Sequence, residues 1–523
     1  MVIRGPQPEL LLLDADFSAF VLARARQYPD QPALIDASTG TSLSCGELCR
    51  AVDAVAGALA VRGLGPGEAV AVCGFNSTEY AIAAHAVWRA GGVVVTMNPL
   101  FTLHEMQQEL ADARPRFLFA ATGVLDRARE AAGLTGVPEV FALGAADGVT
   151  SIGMLASEGR SAPSIAVDPA RDTALILYSS GTTGLPKGVM LTHRNLIAAL
   201  YQLQAGDLAR DTDVLVAISP FFHVVGLHGV LNLGLFTGAP IVTMGRYDLH
   251  GFLGAIERHR ISSAFLTPPV LNDLTRCPDL ARYDLTSLRS ILCAAAPLAP
   301  TAEQAAADRL GCVVRQGYGM TEASGPISTM LVGSEAARRG SVGQLVPSTE
   351  GKIVDLATGE ALDTGQTGEI LVRGPQVMRG YLNNPGATAD TIEPDGWLHT
   401  GDVGYADDEG YLYVVDRVKE IIKYKAYQVA PAELEGVLGT HPAVADAAVV
   451  PSPDDEAGEI PKAFVVLNGA VTADELMAFV AARVAPYKRV RAVEVVDAIP
   501  KSPSGKILRR VLVARERAAR ATP

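Results

Sequence analysis

Thr173-Ala174-Leu175-Ile176-Leu177-Tyr178-Ser179-Ser180-Gly181-Thr182-Thr183-Gly184-Leu185-Pro186-Lys187-Gly188 is the stretch from which the rest of the chain is read. Ala174 to Leu177 is a short apolar run of the kind a buried strand makes, so the polar residues after it form a loop at a strand end. Hydroxyls, glycines and a lysine follow within ten residues. Glycine lets backbone N–H groups come close to a polyphosphate, hydroxyls donate hydrogen bonds, and the lysine offsets charge. The pattern is not GxxxxGK[ST], because Lys187 follows Pro186 and precedes Gly188. By itself the run fits an ordinary turn as well as a phosphate cradle.

Working outward, the same strand texture recurs. Leu43-Ser44-Cys45-Gly46-Glu47 starts a helix: Ser44 can cap, Glu47 completes a capping box, and Leu43 can act as a hydrophobic staple. Leu48, Val52, Val55 and Leu59 repeat at helical spacing until Gly63. A strand at Ala69–Cys73, a helix around Glu79–Ala90 and a strand at Gly92–Thr96 follow. Similar units lie near Val214–Ile218, Ile241–Met244, Ala264–Leu266 and Ser290–Cys293. Such alternation predicts an α/β fold with mostly parallel sheet covered on both faces. After about Gly343 the segments Glu369–Arg373 and Tyr411–Val415 are β-rich. A compact α+β pattern of about a hundred residues follows the charged stretch Lys419–Lys423. Domains are expected at 1–417 and 418–523.

The 523 residues carry 57 acidic and 44 basic side chains, a net −13, which argues against nucleic acid as the main partner. Six cysteines in so long a chain form no disulfide framework and read as small buried side chains in a reducing compartment. No zinc pattern appears. The apolar run near the N-terminus is too short for a signal peptide. Val214 to Gly245 holds no Asp, Glu, Lys or Arg, but its histidines, prolines and glycines suit a buried strand-turn-helix-strand better than a lipid-facing helix. A cytoplasmic protein without a membrane span is expected.

Three further segments carry chemistry. In Gln316-Gly317-Tyr318-Gly319-Met320-Thr321-Glu322, glycines beside an aromatic admit a planar base, and Thr-Glu can bond an oxyanion and hold Mg²⁺. In Trp397-Leu398-His399-Thr400-Gly401-Asp402, the aspartate can accept ribose hydroxyls. In Pro500-Lys501-Ser502-Pro503-Ser504-Gly505-Lys506, proline and glycine present Lys506 from a tight loop. Taken singly, each also reads as a surface loop, a turn aspartate or a solvated basic tail.

Together, in this order and spacing, the four segments resemble the adenylate-forming superfamily of acyl- and aryl-CoA synthetases, peptide adenylation domains and luciferases. The resemblance runs from about Asp30 to Arg510. It is closest to 4-coumarate–CoA ligases and related aryl-CoA ligases, through Tyr424-Lys425 and Gln428-Val429-Ala430-Pro431-Ala432-Glu433-Leu434-Glu435. It implies a large N-terminal domain of helix-covered sheets with a small β-rich subdomain, and a mobile C-terminal domain. It also implies two half-reactions: a carboxylate and Mg-ATP give an acyl-adenylate, and a thiol then displaces AMP.

On that resemblance, Ser179, Ser180, Gly181, Thr182, Thr183, Gly184 and Lys187 hold the β- and γ-phosphates. Thr321 binds the α-phosphate and Glu322 the Mg²⁺. Ala295, Ala296, Pro297, Tyr318 and Gly319 border the adenine, and Asp402 and Arg417 take the ribose. Lys506 bridges the carboxylate and α-phosphate. Lys419 is the hinge, and rotation there exchanges Lys506 for Lys423–Gln428. The acid lies against His223, Val225, Ala294, Gly317 and Gly319. Ala294 stands where relatives carry glycine and narrows the pocket, and Val225 replaces an aromatic. An uncharged, compact aryl acid of benzoate or cinnamate type is expected, with medium-chain fatty acids second. Ala426, in place of a glycine lining the thiol's path, raises the phosphopantetheine arm of a carrier protein as an alternative to CoA.

Overall fold

The computed structural model describes all residues except 180–185, 297, 335–337, 426, 455–456, 503–504 and 522–523; for 427–428 and 517–521 it describes the backbone alone. Two large sheets dominate. One runs, edge to edge, Gly380–Tyr381, Lys187–Thr192, Thr173–Ser179, Val93–Met97, Ala69–Cys73, Phe117–Ala120 and Glu139–Ala142. From Thr173–Ser179 onward the pairing is parallel, whereas Lys187–Thr192 returns antiparallel. The second has a parallel centre through Ile241–Thr243, Leu215–Ala217, Ser263–Leu266, Ser290–Cys293 and Val313–Met320, with antiparallel strands at both edges.

The strand Ala69–Cys73 shows why its sequence is apolar throughout. Val70 and Val72 join one core and Ala71 and Cys73 another, so both faces are covered. The shared core includes Leu215, Ala217 and Ile241 of the second sheet and the helices Cys45–Val61, Thr78–Arg89 and His193–Ala205. The helices therefore sit between the sheets, and further helices cover each outer face. The capping box of Ser44 and Glu47 is present at the start of Cys45–Val61. Five cysteines are buried, Cys312 is partly so, and all six are unpaired. No described helix is long and apolar enough to cross a membrane.

The uncharged stretch after Val214 is a strand, a turn, a helix and a strand, as expected, but the helix opens with a wide π-helical segment, Val225–Asn232. Residue periodicity does not distinguish that turn from an α-helix over eight residues.

A five-stranded antiparallel sheet, Ile3–Arg4 to Leu412–Arg417, follows the second large sheet. The fourth sheet begins at Ile422–Tyr424, inside the stretch marked by its charges. It has its own core around Ile422, Leu434, Val449, Val465 and Leu476.

Candidate active site

The parallel strands end on one side of the molecule, where α/β sheets generally place ligands. A cavity of about 2550 Å³ lies there. Ser179 closes one strand and Lys187 opens the next, so both reach its wall; Ser180, Gly181, Thr182, Thr183 and Gly184 between them lie outside the described residues. The Lys187 ammonium sits 4.8 Å from the centre of the Tyr381 ring.

Ser290–Cys293 delivers Ala294, Ala295 and Ala296 to the same wall, with Pro297 outside the described residues. Ala295 is held at φ 75°, a left-handed conformation that costs an L-residue about 1 kcal/mol and is met mainly at functional turns. Val313–Met320 brings Gly317, Tyr318 and Gly319. A Cβ on Gly319 would stand 1.8 Å from the carbonyl oxygen of Gly325, so glycine is required there.

Thr321 and Glu322 follow on a short 3₁₀ turn. Glu322 is buried, and its Oε1 accepts from Ser179 Oγ at 3.0 Å and from Tyr381 OH at 3.0 Å. Those two donors orient one oxygen inward and leave Oε2 to the cavity that Glu322 lines. A hard dication bound by one carboxylate, phosphate oxygens and water fits this arrangement.

Opposite, Asp402 is buried. Its Oδ2 accepts from Tyr318 OH at 2.5 Å and its Oδ1 lies 3.1 Å from Arg417 Nε. Burial raises its pKa, and Arg417 and Tyr318 counter that.

Lys506 reaches the cavity from the C-terminal sheet. Its loop is pinned by bonds from Ser502 N to Lys506 O (2.8 Å), Lys506 N to Ser502 Oγ (3.1 Å) and Leu508 N to Pro500 O (2.8 Å). A Cβ on Gly505 would touch Thr267 Oγ1 at 3.3 Å, so the loop rests directly on the large lobe. Desolvation, then the nearby Arg417, lowers the lysine's pKa. Across the cavity His223 is held neutral: burial, and secondarily Lys506, push its pKa down to about 4.

Of the remaining expected residues, Lys419 lines the cavity, whereas Lys423 is exposed, lies outside the lining, and donates its backbone N–H to Glu459. The side chain of Gln428, and Ala426 altogether, lie outside the described residues. The sequence reading missed Tyr381, Gly229, Phe265 and Leu292, all on the wall. Gly229 had a signal, six residues after His223 in the uncharged stretch. The other three arrive on separate strands or loops and carry none.

Strand-end glycines, an inward-facing Thr-Glu pair and a lysine lent by a separate sheet define an enzyme that activates acids through a nucleotide. The chain matches the AMP-binding enzyme family over residues 21–382 and the AMP-binding enzyme C-terminal domain over 433–506. It belongs to the AMP-binding enzyme family. It is 42% identical to 4-coumarate–CoA ligase 5 of Oryza sativa subsp. japonica over 98% of this chain and 97% of the relative. Identity to the peroxisomal OPC-8:0-CoA ligase 1 of Arabidopsis thaliana is 39%, over 97% and 93%. Among solved structures, the anthranilate CoA ligase AuaEII with anthranoyl-AMP superposes with a TM-score of 0.90, at 25% identity over 98% and 99% of the two chains. The o-succinylbenzoate CoA synthetase of Bacillus subtilis with its acyl-adenylate gives 0.83, at 30% identity over 96% and 98%. The chain is an AMP-forming acid–CoA ligase that uses ATP, Mg²⁺ and CoA.

Proposed function

We propose that this ligase acts on an apolar, short aryl acid of benzoate or cinnamate type and passes the acyl group to the thiol of CoA. The observation that carries this reading is the wall beside His223. Val225, Gly229, Phe265, Leu292, Ala294 and Gly317 line it, and none is charged. A Cβ on Gly229 would meet Phe265 Cε1 at 3.5 Å, and one on Gly317 would meet Leu292 Cδ1 at 3.3 Å, so these residues converge on a narrow apolar slot. Such a slot favours a flat ring and disfavours a second carboxylate. Relatives named for coumarate, anthranilate and succinylbenzoate support the aryl class.

In the first half-reaction a carboxylate oxygen attacks the α-phosphorus and the bond to pyrophosphate breaks. Ser179, Lys187 and the loop between them hold the β- and γ-phosphates, Thr321 the α-phosphate, and Glu322 Oε2 the Mg²⁺. That ion supplies charge neutralisation across the phosphates. Ala295, Ala296 and Tyr318 border the base, while the Asp402–Arg417 pair takes the ribose hydroxyls. Lys506 stands between the two reacting anions, where a desolvated ammonium is worth most. Neutral His223 packs beside the acid without pairing with it. In the second half-reaction the thiol gives its proton to solvent, its sulfur attacks the acyl carbon, and AMP leaves with the C–O electron pair.

The domain boundary falls at 417/418, with Lys419 as the hinge through which residues 418–523 turn, removing Lys506 and bringing Lys423 and Gln428 in. The carrier-arm alternative rested on Ala426, which lies outside the described residues. The absence of charge on the wall suits a medium-chain fatty acid too, so the test must separate chain from ring. Unpaired cysteines suit a reducing compartment, and we assign the protein to the cytoplasm.

The test is pyrophosphate–ATP exchange with a panel of acids. Benzoate or cinnamate should exceed octanoate in kcat/KM by at least about tenfold, or about 1.4 kcal/mol, and malonate should be inert. Octanoate leading the panel would install the fatty-acid reading. Malonate leading it would overturn the apolar slot.

A further inference from the structure

Two opposite charges, Glu322 and Lys187, line the same cavity without pairing. Glu322 Oε1 accepts from Ser179 Oγ and from Tyr381 OH, each at 3.0 Å. Among the described residues the Lys187 ammonium makes no ion pair with that carboxylate, and it rests instead 4.8 Å from the centre of the Tyr381 ring. Strand pairing accounts for the crowding. Ser179 lies directly across from Lys187, and Tyr381 lies directly across from Val189 on the other side. Residues two apart on a strand share a face, so Ser179, Lys187 and Tyr381 stand on one face of three neighbouring strands with Lys187 in the middle. Both outer residues hold the one carboxylate.

A lysine stem is long and flexible, and an ammonium beside a carboxylate in a half-buried wall gains from a charge-assisted hydrogen bond. Such a bond would occupy both groups: the carboxylate would give up its oxygen for a dication, and the ammonium would meet phosphate only after breaking the pair. The Tyr381 ring offers the ammonium a different partner, since a ring face attracts a cation without neutralising it. The hydroxyl of the same ring is committed to Glu322. Tyr381 is buried, and burial first and Glu322 second raise its phenol pKa, so the hydroxyl stays a donor.

We infer that Tyr381 is a positioning residue that keeps Glu322 and Lys187 apart: its ring holds the ammonium and its hydroxyl the carboxylate, so that one charge stays free for Mg²⁺ and the other for phosphate. The ring separates the two, because Ser179 alone can still hold the carboxylate when the hydroxyl is gone. The inference rests on Glu322 taking the Mg²⁺ and Lys187 the phosphates.

Calorimetric titration of the full chain with ATP, once in Mg²⁺ and once in a chelator, tests it with no acid present. The ratio of the two affinities reads what the metal adds. Wild type should bind ATP at least about tenfold tighter with Mg²⁺. Tyr381→Leu removes ring and hydroxyl together, lets Glu322 and Lys187 pair, and should bring the ratio close to one. Tyr381→Phe keeps the ring and should hold the ratio within about threefold of wild type. Adding Lys187→Gln to Tyr381→Leu removes the competing cation. The ratio should then recover to within about threefold of wild type, although ATP binds more weakly in both media.

An equal fall of the ratio in the Phe and Leu variants overturns the inference, because the hydroxyl or the fold would then account for the effect. Absence of recovery in the double variant, or an unchanged ratio in Tyr381→Leu, overturns it as well. A ratio near one in wild type would instead strike the assignment of Mg²⁺ to Glu322, and the inference with it. Failure of wild type to bind ATP in either medium would strike the nucleotide site itself.

Discussion

Lys506 carries its charge into a place where charge is expensive. Desolvation and Arg417 favour the neutral amine, whereas Asp402 and Glu322 favour the ammonium, and the net shift is downward. The proton is therefore lost at lower pH than from free lysine. The kcat/KM for adenylation should fall as pH rises through that depressed value, giving an alkaline limb below the ordinary lysine range. Lys506→Arg should move the limb upward. Lys506→Ala should slow adenylation at least a hundredfold, yet leave thioester formation from preformed adenylate largely intact. Equal loss in both steps would show that the lysine holds structure rather than charge. This residue is legible in the sequence because Pro500, Pro503 and Gly505 mark the loop that displays it. Tyr381 is not legible, although its hydroxyl fixes Glu322, because strand pairing 59 residues further along the chain brings it there.

At the level of elements, one side chain ties the Lys506 loop to two carboxylates of the C-terminal domain, one of them beside the proposed hinge. Arg509 bonds Glu435 through Nη2 at 2.6 Å and Nε at 3.2 Å, and bonds Glu420 through Nη1. Nearby, Asp416 Oδ2 accepts from Ala432 N at 2.9 Å. The Glu420 contact lies next to Lys419 and turns with the C-terminal sheet, whereas the Asp416–Ala432 bond spans the hinge and would part when that sheet turns. Asp416→Ala should lower the adenylation rate several-fold while leaving the thiol step from preformed adenylate unchanged or faster, read by single-turnover assays of each step. A parallel fall in both steps would mean that the contact only stabilises the fold. Such clasps escape a sequence reading. Glu420 stood out only as one charge among several in Lys419–Lys423, and its partner is 89 residues away. The parallel strands and their helices were legible, because two-sided burial writes continuous apolar runs. The π-helical turn was not, since its wider pitch leaves no mark on hydrophobic spacing.

Across the whole molecule, the shared core between the two large sheets encloses His85 and His228, which are 0% and 1% exposed. Burial pushes the pKa of each down to about 3, so both stay neutral when the unfolded chain takes up protons. Below about pH 6.5 the unfolded state binds more protons, so stability falls with falling pH, by about 1.4 kcal/mol per unit for each histidine. Urea denaturation at pH 7, 6 and 5 should show this slope, and His228→Gln should flatten it by one histidine's share. An unchanged slope would mean that His228 takes up its proton within the folded protein. The layered plan was readable from alternation alone, but the meeting of four separate segments around one cavity was readable only through likeness to a family. Spacing along a chain does not encode distance across a fold.

The wide turn at Val225–Asn232 has a consequence of its own. A π-turn accommodates one residue more than an α-turn over the same rise, so this part of the acid slot contains slack that the strands before and after it do not. Losing a single residue here would tighten the coil and swing Val225 and Gly229 to new bearings without disturbing either sheet's register. Appetite for a different acid is thus reachable by a change in length as well as by exchange of side chains, and the scaffold around the nucleotide need not take part.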